Sequence, residues 1–255
     1  MPGFIETKFI EKFKNKASFS REELFEFFRH LEPDLKEGTF AWRIYNLKEK
    51  NIIKSLKRGL YTISTKPIYE TVLSSDIIKL SKSIQQNFSE VKHCIWQTNW
   101  LNEFSQHQSN KRIIIIEVEK DFAESVYFFL KDTFKLDLYL NPKEKEVEFY
   151  ISESNNPIVV KNLITRSPIA RRVQNKLSIS VPFLEKILVD LFADEKLFYL
   201  FQGSELIKIF ENAISNYTIN FTKLFSYAKR REREQEIKSF ITNNMDYLLK
   251  DIIDD

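Results

Sequence analysis

Apolar residues recur at helical spacing from the start of the chain: Phe4, Ile5, Phe9, Ile10 and Phe13 predict one amphipathic helix ending near Asn15. Ser20-Arg-Glu-Glu23 then has the Ser-x-x-Glu form of a capping box, and Leu24, Phe27, Phe28 and Leu31 supply the stripe of a second helix. Pro33 and Gly38 mark the connection to a third helix, predicted from Gly38-Thr39, with Thr39 as N-cap, to about Lys50. Its pattern separates a core face of Phe40, Ile44 and Leu47 from an opposite face of Trp42, Tyr45, Asn46 and Glu49. Two short β-like runs follow, Ile52-Ile53-Lys54 and Leu60-Tyr61-Thr62-Ile63, around Lys57-Arg58-Gly59, whose glycine can take a positive φ.

Three helices and a hairpin, in that order, predict a winged helix-turn-helix over residues 1–66. In a helix-turn-helix the second helix of the pair lies in the major groove, its first residues nearest the base edges. Thr39, Trp42, Arg43 and Asn46 would then face double-stranded operator DNA, and Lys54, Lys57 and Arg58 would touch phosphates. Arginine can bridge guanine and asparagine adenine, whereas the lysines would position without reading sequence. The alternative is the same fold used for protein contact, with Trp42 and Tyr45 packed on a neighbouring domain.

Beyond a linker at Lys66-Pro67 the pattern changes to alternating helix and strand. Asp76 to Phe88 reads as a helix and Cys94 to Trp96 as a short strand; Trp96 to Leu101 opens a helix with Thr98 as cap. Arg112 to Glu119 is the most strand-like run, suited to burial on both faces. Ala123 to Phe134 reads as a helix, and Leu136–Leu140, Val147–Ile151 and Ile158–Val160 as strands. Residues 67–180 are thus predicted as a mixed α/β domain. Residues 181–255 are predicted as a helical part packed on it, with helices starting at about Pro182 and spanning Leu206–Ala213 and Phe221–Phe240. The fold class is α+β. The terminal run Lys250 to Asp255 is short and expected to fray.

Charge sharpens this division. The chain carries 39 Lys+Arg and 36 Asp+Glu, but residues 1–66 hold 14 against 9, residues 67–160 hold 10 against 14, and residues 161–255 hold 15 against 13. A basic head on an acidic middle places a polyanion partner, if there is one, at the head. A second cationic cluster, Lys229, Arg230, Arg231 and Arg233, reads either as a solvated helix face, with Arg230 and Glu234 paired at i, i+4, or as a patch for a toxin or nucleic acid. One cysteine and three histidines exclude a disulfide framework and a closed zinc cluster. The longest aliphatic run, Ile113 to Ile116, falls far short of the roughly 20 residues that span a bilayer, and the N-terminus lacks a secretory pattern. A cytoplasmic protein without a membrane partner is expected.

Catalytic chemistry finds little support. Glu117 and Glu119 share a strand face and could hold a divalent metal, as a divergent nucleotidyltransferase or a metal-dependent nuclease would require. No glycine lies between Gly59 and Gly203, so the phosphate-cradling turn of a nucleotidyltransferase is missing. The pair is expected to be solvated strand-end charge, with no cofactor and no catalytic or metal-binding residue assigned. Cys94 and His93 are strand neighbours on opposite faces, and His107 is expected at the surface or in a hydrogen bond.

The string GTFAWRIYNLKEKNIIKSLKRGLYTIS resembles the N-terminal winged helix of the abortive-infection AbiE antitoxins, in which a helix and a following "RG-Y" hairpin occupy the same order. SISVPFLEKILVDLF and INFTKLFSYAKRRER resemble that family's "EK-LVD" and "YA-RR" segments. The resemblance implies a cytoplasmic antitoxin and transcriptional autorepressor, whose C-terminal domain counteracts a separately encoded nucleotidyltransferase-type toxin. For the α/β part a nucleotidyltransferase-like shape is expected, an analogy that carries no activity with it.

Overall fold

The apolar stripes of the first three helices meet in one small core. In the computed structural model, which describes residues 4–14, 16, 18–63, 66–174 and 176–245, the head comprises α1 (Phe4–Phe13), β1 (Phe19–Ser20), α2 (Arg21–Leu31), α3 (Glu37–Glu49), β2 (Lys54–Lys57) and β3 (Leu60–Thr62). Phe9, Phe13, Phe19, Phe27, Phe28 and Phe40 dominate its interior. The capping box forms: Ser20 Oγ accepts from the Glu23 amide at 3.1 Å, and Glu23 Oε2 accepts from the Ser20 amide at 2.7 Å. Strand β1, absent from the sequence pattern because it is two residues long, pairs antiparallel with β3, giving the sheet order β1-β3-β2. Gly59 takes φ +78° in the hairpin turn.

Helix α3 starts at Glu37, one turn earlier than Thr39 suggests, and Lys36 precedes it without a side-chain cap. Thr39 therefore lies inside the first turn, and its capping role is corrected. The separation of faces holds: Phe40, Ile44 and Leu47 are buried, while Trp42 and Tyr45 stand 62% and 58% exposed.

The rest of the chain shares a second core that runs from Tyr69 to Ile241 and crosses the 180/181 boundary without interruption. Its centre is a four-stranded sheet of β4 (His93–Gln97), β5 (Ile114–Val118), β6 (Leu138–Leu140) and β7 (Ile158–Asn162), in the order β4-β5-β7-β6. Strands β5, β6 and β7 are parallel, and β4 is antiparallel to β5. Helix α4 (Ser75–Asn87) precedes β4, and α5 (Ala123–Thr133) connects β5 to β6. Residues Thr98–Glu103 form a 3-10 turn; Thr98 Oγ1 accepts from the Ile113 amide at 2.9 Å rather than capping a helix.

Three expectations for the body are corrected. Val147–Ile151 is a π-helical turn continuing α6 (Glu144–Glu146), because its buried residues, Val147 and Ile151, lie four apart rather than alternating. The helix expected from about Pro182 forms as α7 (Leu184–Ala193), but the proline is not in its first turn: it ends β9 (Leu177–Pro182), which pairs antiparallel with β8 (Ile169–Gln174). After α8 (Ser204–Asn216), the helix expected from Phe221 to Phe240 divides into α9 (Phe221–Arg230) and α10 (Glu234–Asn244). Lys250–Asp255 and Asn15 lie outside the described residues.

The break after α9 has a defined geometry. The Arg233 amide donates to the Ala228 carbonyl at 2.9 Å and the Glu232 amide to the Lys229 carbonyl at 3.1 Å, with Glu232 at φ +57°. These are the two bonds of a Schellman termination, whose left-handed residue is usually glycine. A Cβ in that conformation costs about 1 kcal/mol. Glu232→Gly is therefore expected to stabilise the protein by up to about 1 kcal/mol in chemical denaturation. A decrease in the unfolding midpoint would show that the Glu232 side chain contributes more than its backbone strain removes.

Candidate functional site

The outward face of α3 is open to solvent. Thr39, Trp42 and Tyr45 are exposed and Asn46 is half-buried. Arg43 pairs with Glu32, its guanidinium 5.2 Å from the Phe28 ring centre, so it is held along the edge of the helix. Arg21 pairs with Glu37, Lys50 with Glu6 and Lys16 with Glu23. Four of the head's 14 Lys+Arg thus sit beside carboxylates in surface pairs, each worth under about 1 kcal/mol and open to exchange for a phosphate.

The hairpin departs from its expected role. Leu56 and Leu60 pack against the core of the body, and the Arg58 amide donates to Thr222 Oγ1, at the start of α9, at 2.8 Å. Lys54 donates through Nζ to the Lys66 carbonyl, with Thr218 Oγ1 3.4 Å away. Lys54 is accordingly a joint residue rather than a phosphate contact, and burial lowers its pKa. The Arg58 side chain stays exposed and Lys57 is half-buried. The cause is the apolar pair Leu56 and Leu60, which a solvent-facing wing would leave wet.

Inside the body lies a charge network that the sequence pattern hid. Glu117, at the carboxyl end of β5, is 2% exposed, and its Oε2 is 2.5 Å from Lys186 Nζ on α7. Lys186 also lies 2.5 Å from Asp190 Oδ2, one turn along α7, and Tyr227 on α9 donates to Asp190 Oδ1 at 2.8 Å. Arg231, at the end of α9, donates to Asp194 at 2.7 Å, and Lys161 at the end of β7 pairs with the same carboxylate. Cys94 on β4 lies opposite Glu117. Burial pushes the carboxyl of Glu117 above its ordinary pKa against the pull of Lys186. Burial also opposes the charge on Lys186, yet Asp190 and Glu117 outweigh it and hold the ammonium well above its usual value. Asp194 is held below the ordinary carboxylate range because Lys161 and Arg231 outweigh its burial.

Several expected roles change here. Glu117 is buried and ion-paired, not solvated, and Glu119 has turned out of the strand toward Lys92, 3.9 Å away. The two do not face a common metal, and among the described residues no group of three or more His, Cys, Asp or Glu is gathered for one. Arg231 belongs to the network, whereas Lys229, Arg230 and Arg233 are exposed. Glu234 pairs with Lys238 and Arg233 with Glu236, so the expected Arg230–Glu234 pair is absent among the described residues. His93 is buried with Nε2 3.3 Å from Ser81 Oγ, and burial lowers its pKa; burial pushes the Cys94 thiol up, which makes it a poor nucleophile. His107 lies at the surface, Nδ1 3.1 Å from Glu205.

Above the network a cleft of about 450 Å³ opens at the carboxyl ends of β6 and β7, between Asn141, Lys161, Asp194, Lys196 and Arg233. Open α/β sheets bind ligands at this end. Its cations, however, have carboxylate partners: Lys161 with Asp194, Lys196 with Glu144, Arg233 with Glu236.

The fold defines a mixed α+β protein with a helical head, whose small sheet docks on a larger α/β body. The chain belongs to DUF6577, a family of unknown function whose sequence model matches residues 39–247, from within α3 onward. No curated protein matches the chain, and no solved structure matches it. Among the described residues, no helix is long and apolar enough to cross a membrane.

Proposed function

We propose that residues 1–66 form a winged helix-turn-helix that binds double-stranded operator DNA, and that the chain is a transcriptional regulator. The observation that carries this reading is the order α1-β1-α2-α3-β2-β3 with sheet order β1-β3-β2, which leaves the outer face of α3 open to solvent. Thr39 and Asn46 supply hydroxyl and amide groups for base edges, Trp42 supplies apolar contact, and Arg43 can exchange Glu32 for a base or phosphate. Phosphate contact by the hairpin is restricted to Lys57 and Arg58, since Lys54 is engaged at the joint.

The resemblance to AbiE antitoxins extends this reading to a cytoplasmic autorepressor of a toxin–antitoxin operon in abortive infection. Its body would counteract a nucleotidyltransferase-type toxin, with exposed Lys229, Arg230 and Arg233 available for that partner or its nucleic acid. The mixed β4-β5-β7-β6 sheet is compatible with a nucleotidyltransferase-like shape. Within that sheet Glu117 is buried and paired with Lys186.

The test is the affinity of the full chain for the duplex upstream of its own coding sequence, against a scrambled duplex of equal length. The Thr39→Ala/Asn46→Ala variant should lose about 10- to 100-fold on the upstream duplex, the loss of one good base contact being worth about 1–3 kcal/mol, and change little on the scrambled one. Equal affinity of the unaltered protein for both duplexes would reject sequence-specific binding. Unchanged selectivity of the variant would reject α3 as the reading element.

A further inference from the structure

Between Lys161 and Leu184 the chain has five cations and no Asp or Glu, although acids and bases are nearly balanced over the whole sequence. This stretch holds the β8–β9 hairpin. Two of the five are spoken for: Lys161 pairs with Asp194, and Arg172 pairs with Glu70 at 2.9 Å. Arg166, Arg171 and Lys176 are exposed and, among the described residues, form no ion pair. The cations of the cleft differ in this respect.

The strand register sorts the two faces of the hairpin. Ile179 and Val181 are buried against the body, so Arg172 and Ala170, their partners across the ladder, face inward as well. The outward face carries Arg171 and Val173 opposite Ser180 and Ser178. Arg166 sits in the loop before β8 and Lys176 in the turn before β9, both with left-handed backbone. The root of the hairpin is at the joint: Phe183, directly after β9, lines a cavity of about 270 Å³ together with Lys48 and Lys54 of the head.

We infer that this face is a second nucleic-acid contact, one that holds the phosphate backbone of a duplex without reading its sequence. Three features select that partner. Unpaired Arg and Lys flanked by serine hydroxyls are phosphate ligands, and such contacts position without specifying. A protein partner would need an apolar anchor at the centre of its interface, and among the described residues the large hydrophobic on this face is Val173 alone, 76% exposed. A single strand would need aromatic platforms for its bases, and among the described residues the face has none. The inference goes beyond the reading of α3 and does not depend on it, because backbone contact requires no operator.

The experiment uses the full chain and a duplex of random sequence, with affinity measured by fluorescence anisotropy across a salt series. The Arg166→Gln/Arg171→Gln/Lys176→Gln variant removes three outward charges and leaves Ile179 and Val181 in place, so its melting temperature should hold. Each phosphate contact contributes about 0.9 to the slope of log affinity against log salt, so the slope should flatten by about 2.7. Affinity near 0.1 M salt should fall on the order of 10²-fold. A variant with unchanged slope and affinity overturns the inference, as does equal loss on a single strand of the same length. The Thr39→Ala/Asn46→Ala variant serves as the independent arm: loss of selectivity without change in slope belongs to α3, and change in slope without loss of selectivity to the hairpin.

Discussion

Lys186→Ala should cost about 3–5 kcal/mol, the range seen when one partner of a buried ion pair is removed. The residue is fully buried, and its ammonium is the shared cation of Glu117 and Asp190. Without it Glu117 loses its closest cation, while Asp190 keeps only the Tyr227 hydroxyl and, at 3.8 Å, Arg231. Domains of this kind are stable by about 5–15 kcal/mol, so the variant would stand near the threshold of folding. Chemical denaturation of the purified variant measures the loss. Lys186→Met/Glu117→Leu should recover part of it, because the apolar pair removes the Glu117 charge and leaves Asp190 with Tyr227 and Arg231 as its partners. A single variant that loses under about 1 kcal/mol would mean that water reaches the carboxylates once the lysine is gone.

Phe9→Ala should have an effect of similar size confined to the head. Phe9 is fully buried, with the rings of Phe13, Phe19 and Phe27 at centroid distances of 5.0, 5.7 and 5.7 Å. Truncating a phenylalanine in such a site costs about 3–5 kcal/mol. A core this small has little to spare. Limited proteolysis should then cut within residues 4–63 while a fragment carrying the body resists, and affinity for the upstream duplex should be lost. A single cooperative transition for the variant, with both parts cleaved together, would show instead that Leu56 and Leu60 weld the head to the body.

The head was legible in the sequence because its signals are local. Stripes at three- and four-residue spacing, the Ser20–Glu23 box and Gly59 each act within a few positions, and they located three helices and a hairpin. The body was harder to read. Leu177 to Pro182 alternates strictly, with Leu177, Ile179 and Val181 apolar and Ser178 and Ser180 polar, which is a strand pattern. The proline and the apolar run after it pull the eye toward a helix start, so β9 and its partner go unseen. Arg171 and Arg172 look like surface charge until the register gives them opposite faces. The network was less accessible still. Lys186 and Asp190 stand four apart within an apolar helix, a hint that they share a buried side, but Glu117 and Arg231 reach them from 69 and 45 positions away from Lys186. No local pattern encodes that meeting. Likewise, nothing near Lys54 reveals that Thr218 will sit beside it.

Helix α9 joins two of these features. Near its first turn Thr222 receives the amide of Arg58, and at its far end Tyr227 and Arg231 grip the carboxylates of α7. Ten residues of α-helix make a strut about 15 Å long. One helix thus runs from the seat of the hairpin to the buried carboxylates, and the head rests on the same element that closes the charge network.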